Sequence, residues 1–167
     1  MKILVDASVL ITLAEIDALY LLKELDGDVV MPELVADEIQ DEPARSELER
    51  ARDGWIRVES ADEEQVKEAM KRLGRDGEPR GDAALLALAT GYDEAVVVTD
   101  DKPLRNACKA LGISLSGSVG VVVASVETGV LEPEEAKDLV VAMDEVGARF
   151  SASLLRKAET LIDEAAE

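Results

Sequence analysis

Histidine is absent from this chain of 167 residues. That removes the commonest general base and the commonest nitrogen ligand for metals. Cysteine occurs once, as Cys108, so an internal disulfide and a multi-cysteine zinc or iron–sulfur site are both excluded. The only aromatic residues are Tyr20, Trp55, Tyr92 and Phe150. A core must be built from Val, Leu, Ile, Ala and Met, and an apolar fraction of 47% is enough for one. No uncharged apolar stretch reaches the roughly 18 residues that a membrane-spanning helix needs. No basic segment followed by a long apolar run opens the chain, so secretion is not indicated and the expected location is the cytoplasm. Positive charge is also scarce, with 18 Lys and Arg against 37 Asp and Glu and a net charge of −19. The basic footprint that usually marks a nucleic-acid-binding domain is missing.

What is present alternates between short apolar runs and helical patterns. Lys2–Val5 is expected as a first strand, with Ser8 capping a helix from Val9. Leu19–Leu25 reads as a helix stopped by Gly27, and Val29–Met31 as a second strand. Pro32 suits a first helical turn, Pro43 interrupts that element, and Ser46–Arg52 is a short helix. Trp55–Val58 is a third strand. Ser60 and Glu63 form a capping box for a helix that reaches Leu73. Residues 74–81 carry three glycines, a proline and several charges, so they are expected as the most mobile loop. Asp82 opens the helical run AALLALAT. Ala95–Thr99 is uncharged and rich in β-branched residues, which makes it the strongest strand signal. A helix over Lys102–Leu111 ends at Gly112, and Ile113–Leu115 is a fifth strand. Helices follow over Val119–Glu127, Pro133–Val146 and Ala152–Ala165, the last capped by Ser151 with Phe150 stapled to Leu155. The alternation predicts one domain over 1–167, an α/β/α sandwich around a mostly parallel sheet of about five strands.

Four acidic signals sit at the ends or starts of these elements. Asp6 follows the first strand, Glu38 lies beside an apolar helical stripe in MPELVADEI, Asp82 starts its helix, and Asp100 and Asp101 follow AVVVT. In an open parallel sheet, ligands bind outside the carboxyl ends of the strands. Asp6 and the Asp100–Asp101 pair are therefore candidates for one crevice. Carboxylates gathered there would repel one another unless a divalent cation such as Mg²⁺ or Mn²⁺ relieved them. Ser8 and Thr99 are candidate supports for the acidic groups. Each of these residues also has a local alternative, as a helix cap or as part of a solvated acidic face.

In these motifs the chain resembles the PIN domains, a family of metal-dependent ribonucleases that includes the toxins of VapBC-type toxin–antitoxin pairs. The strand–Asp–x–Ser opening matches at Asp6 and Ser8, PELVADEI matches at Glu38, GDAALLALA at Asp82, and Thr–x–Asp at Thr99 and Asp101. Asp100 fills a variable slot, although a related branch carries paired aspartates there. The segment ACKALGISLSGSVGVVVASVETGVL resembles an uncharacterised archaeal and bacterial subgroup with a Gly-x-x-Gly segment after the last strand. The resemblance implies hydrolysis of RNA phosphodiesters with Mg²⁺ or Mn²⁺. It implies that Asp6, Glu38, Asp82 and Asp101 are catalytic and that Asp100 joins them as a metal ligand. It also implies an antitoxin protein as a partner and a tendency to form homodimers.

The spread of acidic residues resembles the surface of proteins from halophilic archaea. In about 1 M salt the screening length falls to about 3 Å, which would weaken repulsion of a phosphate backbone. Arg105 and Lys109 share one helix face and are the candidates for RNA-backbone contact. Apolar residues of the last three helices, with Val119–Val126, are candidates for a homodimer face. The rival readings are a catalytically silent interaction module, a non-toxic RNA-processing nuclease, and a phospho-receiver or phosphatase-like domain.

Overall fold

The computed structural model describes residues 1–167. Five strands, β1 (Lys2–Val5), β2 (Asp28–Pro32), β3 (Ile56–Glu59), β4 (Ala95–Val98) and β5 (Ser114–Ser116), form one sheet in the order β3-β2-β1-β4-β5. Every neighbouring pair is parallel. The helices are α1 (Ala7–Glu15), α2 (Tyr20–Lys23), α3 (Glu33–Glu38), α4 (Ala44–Arg52), α5 (Glu63–Arg72), α6 (Gly81–Gly91), α7 (Lys102–Leu111), α8 (Ser118–Glu127), α9 (Pro133–Met143) and α10 (Ala152–Ala165). A π-helical turn, Asp144–Ala148, follows α9. The result is a three-layer α/β/α sandwich.

Burial on both sheet faces explains why the strands are continuous apolar runs. Leu4, Val5, Val30, Met31 and Val97 are wholly buried. Helix α6 contacts β1, β2 and β4 as well as α3, α5 and α7. A helix enclosed on so many sides has little need of a polar face, which accounts for AALLALA. Helix α8 is similar, burying Val119, Val121, Val122 and Val126 and contacting α1, α2, α9, α10 and β5. The apolar surface of α8 is therefore largely used within the chain. Val140, Met143 and Ile162 are buried too, while Val141, Val146 and Leu154 remain exposed.

Several boundaries differ from the sequence reading, each for a local reason. Helix α1 starts at Ala7, because Asp6 takes the capping role expected of Ser8. Pro32 ends β2 and precedes α3 instead of entering it, since its φ of −65° also suits an extended residue. Helix α5 is capped by Asp62, whose carboxylate accepts from Gln65 N–H at 3.1 Å, so Ser60 forms no capping box. Helix α9 ends at Met143, where the π-helical turn takes over. Gly112 at φ 71° and Ser151 terminate and cap their helices as expected.

The strand order reverses direction between β1 and β4, and this reversal positions the site. From β1 the chain runs outward to β2 and β3, and from β4 it runs outward to β5 on the other side. Loops leaving the carboxyl ends of two such adjacent strands diverge and leave a crevice. Val5 pairs with Val98, so Asp6 and Thr99 emerge side by side above the sheet.

Candidate active site at the sheet switch point

Asp6 is 8% exposed and tightly held. Its Oδ1 accepts the Ala7 N–H at 2.9 Å, and its Oδ2 accepts the Thr99 hydroxyl at 2.7 Å. The Ser8 hydroxyl reaches the same Oδ2 at 3.5 Å, the outer limit of a hydrogen bond. Thr99 is wholly buried, and its Oγ1 in turn accepts the Asp101 N–H at 3.0 Å. A relay thus runs from the Asp101 amide through Thr99 to Asp6, tying the ends of β4 and β1 together. Burial pushes the Asp6 carboxyl above its ordinary value; the Thr99 hydroxyl and Ala7 amide oppose the shift, while Asp101 and Asp82 add to it.

Glu38 comes from the last turn of α3. Although the residue is exposed, its carboxyl end lies directly over Gly81. A Cβ at position 81 would fall 1.8 Å from Glu38 Oε1, so only glycine permits this approach. Desolvation raises the Glu38 pKa, and Asp6 and Asp82 raise it further against the Gly81 amide and Arg80.

Asp82 sits in the first turn of α6, where Oδ1 accepts the Ala83 N–H at 2.8 Å. Its Oδ2 accepts from Nε and Nη2 of Arg75, at 3.2 and 3.0 Å. Arg75 belongs to the loop before α6 and already neutralises part of the acidic cluster; the sequence offered no sign of this pairing. Asp101 caps α7, with Oδ2 accepting from Leu104 N–H at 3.1 Å.

Mutual electrostatic influence links these groups: Asp6 is raised by Asp101 and Asp82, and Glu38 by Asp6 and Asp82. Asp6, near the switch point, is thus the group that links Glu38, Asp82 and Asp101, which come from three other chain segments. Asp100 does not join them. Its Oδ1 accepts the Ser118 N–H at 2.9 Å and its Oδ2 accepts the Ser118 hydroxyl at 2.6 Å, so it faces the start of α8. Arg105 donates from Nη1 to the Thr99 and Ser116 carbonyls, at 2.8 and 3.0 Å, fastening the ends of β4 and β5. Lys109 is exposed on the last turns of α7. Cys108 is fully buried and its thiol is pushed up to about 11, which disqualifies it as a nucleophile at neutral pH.

The residues present suit a hard divalent cation in chemistry: all are oxygen donors, and the raising of Asp6 and Glu38 by neighbouring carboxylates is a cost that a cation would relieve. The arrangement is nevertheless not closed, because no three His, Cys, Asp or Glu side chains stand together as a ready-made cation site. Arg75 holds Asp82 on one side.

A family model described as a PIN domain matches residues 2–164. The chain belongs to that family, and its fold agrees with a nuclease-superfamily role in general. No curated protein matches the chain.

Proposed function

We propose that this protein, taken as one domain over 1–167, is a Mg²⁺- or Mn²⁺-dependent endoribonuclease. What supports this reading is a PIN-family fold in which Asp6 emerges beside Thr99 at the crevice between β1 and β4 and is electrostatically linked to Glu38, Asp82 and Asp101. Hydrolysis adds water across one P–O bond, placing hydroxyl on phosphorus and a proton on the leaving oxygen. A bound cation would supply Lewis-acid activation of the water and of the phosphate oxygens. Asp6, Glu38, Asp82 and Asp101 are the residues that would hold it, and Asp100, occupied by Ser118, is left out of the set. Thr99 keeps Asp6 aimed into the crevice. Gly81 leaves room for Glu38 to reach it.

A toxin role, an antitoxin partner and a halophilic source are supported by the resemblances in sequence and surface charge. A homodimer has added support from exposed Val141, Val146 and Leu154. The competing reading is a catalytically silent PIN-domain module. It is favoured by one observation, the absence of a ready-made three-ligand site.

The test is cleavage of a mixed RNA substrate by purified protein with Mg²⁺ or Mn²⁺, with and without chelator. Cleavage that needs the cation and falls about a hundredfold or more in Asp6→Asn is expected, by analogy with loss of one charge-stabilising group. No cleavage by the wild type with either cation would overturn the reading in favour of the silent module, and undiminished cleavage by Asp6→Asn would overturn the assignment of the reaction to the Asp6 crevice.

A further inference from the structure

Beside the acidic crevice, an open groove of about 660 Å³ runs along the start of α8 towards the Arg149–Phe150 corner. Its charge is opposite in character to the rest of the molecule. Lys102, Arg105 and Arg149 line it, and Asp100 is its only carboxylate. Both oxygens of Asp100 already accept hydrogen bonds from Ser118. Gly117 makes that contact feasible, since a Cβ there would fall 2.5 Å from Asp100 Oδ1. Arg105 spends Nη1 on two carbonyls but forms no ion pair, and neither Lys102 nor Arg149 pairs with any carboxylate. In a chain with 37 acidic side chains, three cations converging without an acidic partner leave a local demand for an external anion.

The far wall is built with some strain. Arg149 has φ 53°, a left-handed conformation that is uncommon outside glycine. It follows the π-helical turn, and the Asp144 carboxylate fixes the corner by accepting the Phe150 N–H at 2.6 Å. The strain places a cation and a half-buried aromatic ring next to each other on one groove wall. That pairing suits a nucleotide, whose phosphate takes the cation and whose base stacks on the ring. Asp100 on the groove and Asp101 on the crevice are consecutive, with Cα atoms about 3.8 Å apart. A strand lying in the groove would therefore continue directly into the crevice.

We propose that this groove is a subsite for a phosphate-bearing nucleotide of single-stranded RNA, adjacent to the bond presented to the acidic crevice. The proposal rests on the nuclease reading for its substrate class.

The test is binding of a fluorescent single-stranded RNA of about a dozen nucleotides, measured by anisotropy across a salt series. Asp6→Asn protein with Mg²⁺, or wild type with chelator, keeps the RNA intact. The double variant Lys102→Gln/Arg149→Gln should bind at least about tenfold more weakly. Its log–log salt slope should shrink by about 1.4, two phosphate contacts at about 0.7 each for a single strand. Phe150→Leu should weaken binding about fivefold and leave the salt slope unchanged. Lys71→Gln/Arg72→Gln, an equal charge change on α5, should stay within about twofold. Both substituted groove cations are exposed, so melting temperature should hold in the groove double variant. Unchanged affinity in the groove double variant, an equal loss in Lys71→Gln/Arg72→Gln, or no RNA binding by wild type would each overturn the subsite. If the groove double variant binds normally while wild type cleaves RNA, the subsite fails and the nuclease stands. If wild type binds RNA through the groove and never cleaves it, the subsite stands and the nuclease reading fails.

Discussion

The two sides of the β4 carboxyl end have opposite electrostatics. On the β1 side, Asp6, Glu38, Asp82 and Asp101 crowd one another, and burial makes ionisation of Asp6 harder still. On the β5 side, the carboxylate of Asp100 is matched by two donors of Ser118 and surrounded by unpaired cations. Asp100 and Asp101 are adjacent residues of the same type, yet Asp100 is held by Ser118 while Asp101 caps α7 and adds to the negative charge around Asp6. A carboxylate with its hydrogen bonds met stabilises the fold. Carboxylates left to repel one another cost stability, and that cost becomes useful only when a ligand relieves it.

The largest test of this contrast within the fold is Thr99→Val. It removes the hydroxyl between Asp6 and the Asp101 amide and leaves buried polar groups unpaired. A loss of about 2 kcal/mol is expected in denaturant unfolding, together with lower cleavage. A fully stable Thr99→Val protein would show that the relay holds nothing together.

Gly81→Ala should act on activity more than on folding. The added Cβ displaces the flexible end of Glu38, so cleavage should drop about tenfold with little change in melting temperature. Equal cleavage by the variant would remove Glu38 from the reaction.

Asp100→Ala probes the satisfied side. It deletes the acceptor for both Ser118 donors, and Ser118 is wholly buried at the start of α8. About 1 kcal/mol of stability should go, comparable to the loss of a helix cap. An Asp100→Ala protein that melts at or above the wild-type temperature would contradict the contrast.

The smallest expected effect is in pH dependence. A carboxyl whose folded pKa is raised binds its proton more tightly in the folded state, so acid favours folding through that group. Asp6 is raised from 3.8 and Glu38 from 4.5. Their favourable contribution is present below those ordinary values and is lost as pH climbs through the raised folded ones. In cation-free protein, Asp6→Asn should therefore flatten the fall in stability with rising pH just above that range. Calorimetric melting of the two proteins across pH 4–7 checks it, and parallel curves would mean that burial of Asp6 carries no cost.

The sequence alone laid out the alternation of strands and helices, because apolar runs and helical spacing report local burial directly. It also marked Asp6, Glu38, Asp82, Asp100 and Asp101 as candidates, since each lies at the end of an apolar strand or at the start or stripe of a helix. Its local limits show at the caps: Asp6 rather than Ser8 caps α1, and Asp62 rather than Ser60 caps α5. Which way Asp100 turns was decided only when α8 brought Ser118 against it. The need for glycine at position 81 arose only when α3 carried Glu38 over the start of α6. The Arg75–Asp82 pair and the Arg149–Phe150 corner likewise depend on where loops come to rest. Local pattern fixes what a segment becomes, while partners distant in the chain decide which side chains are satisfied and which are left facing a crevice, and those partners meet only in three dimensions.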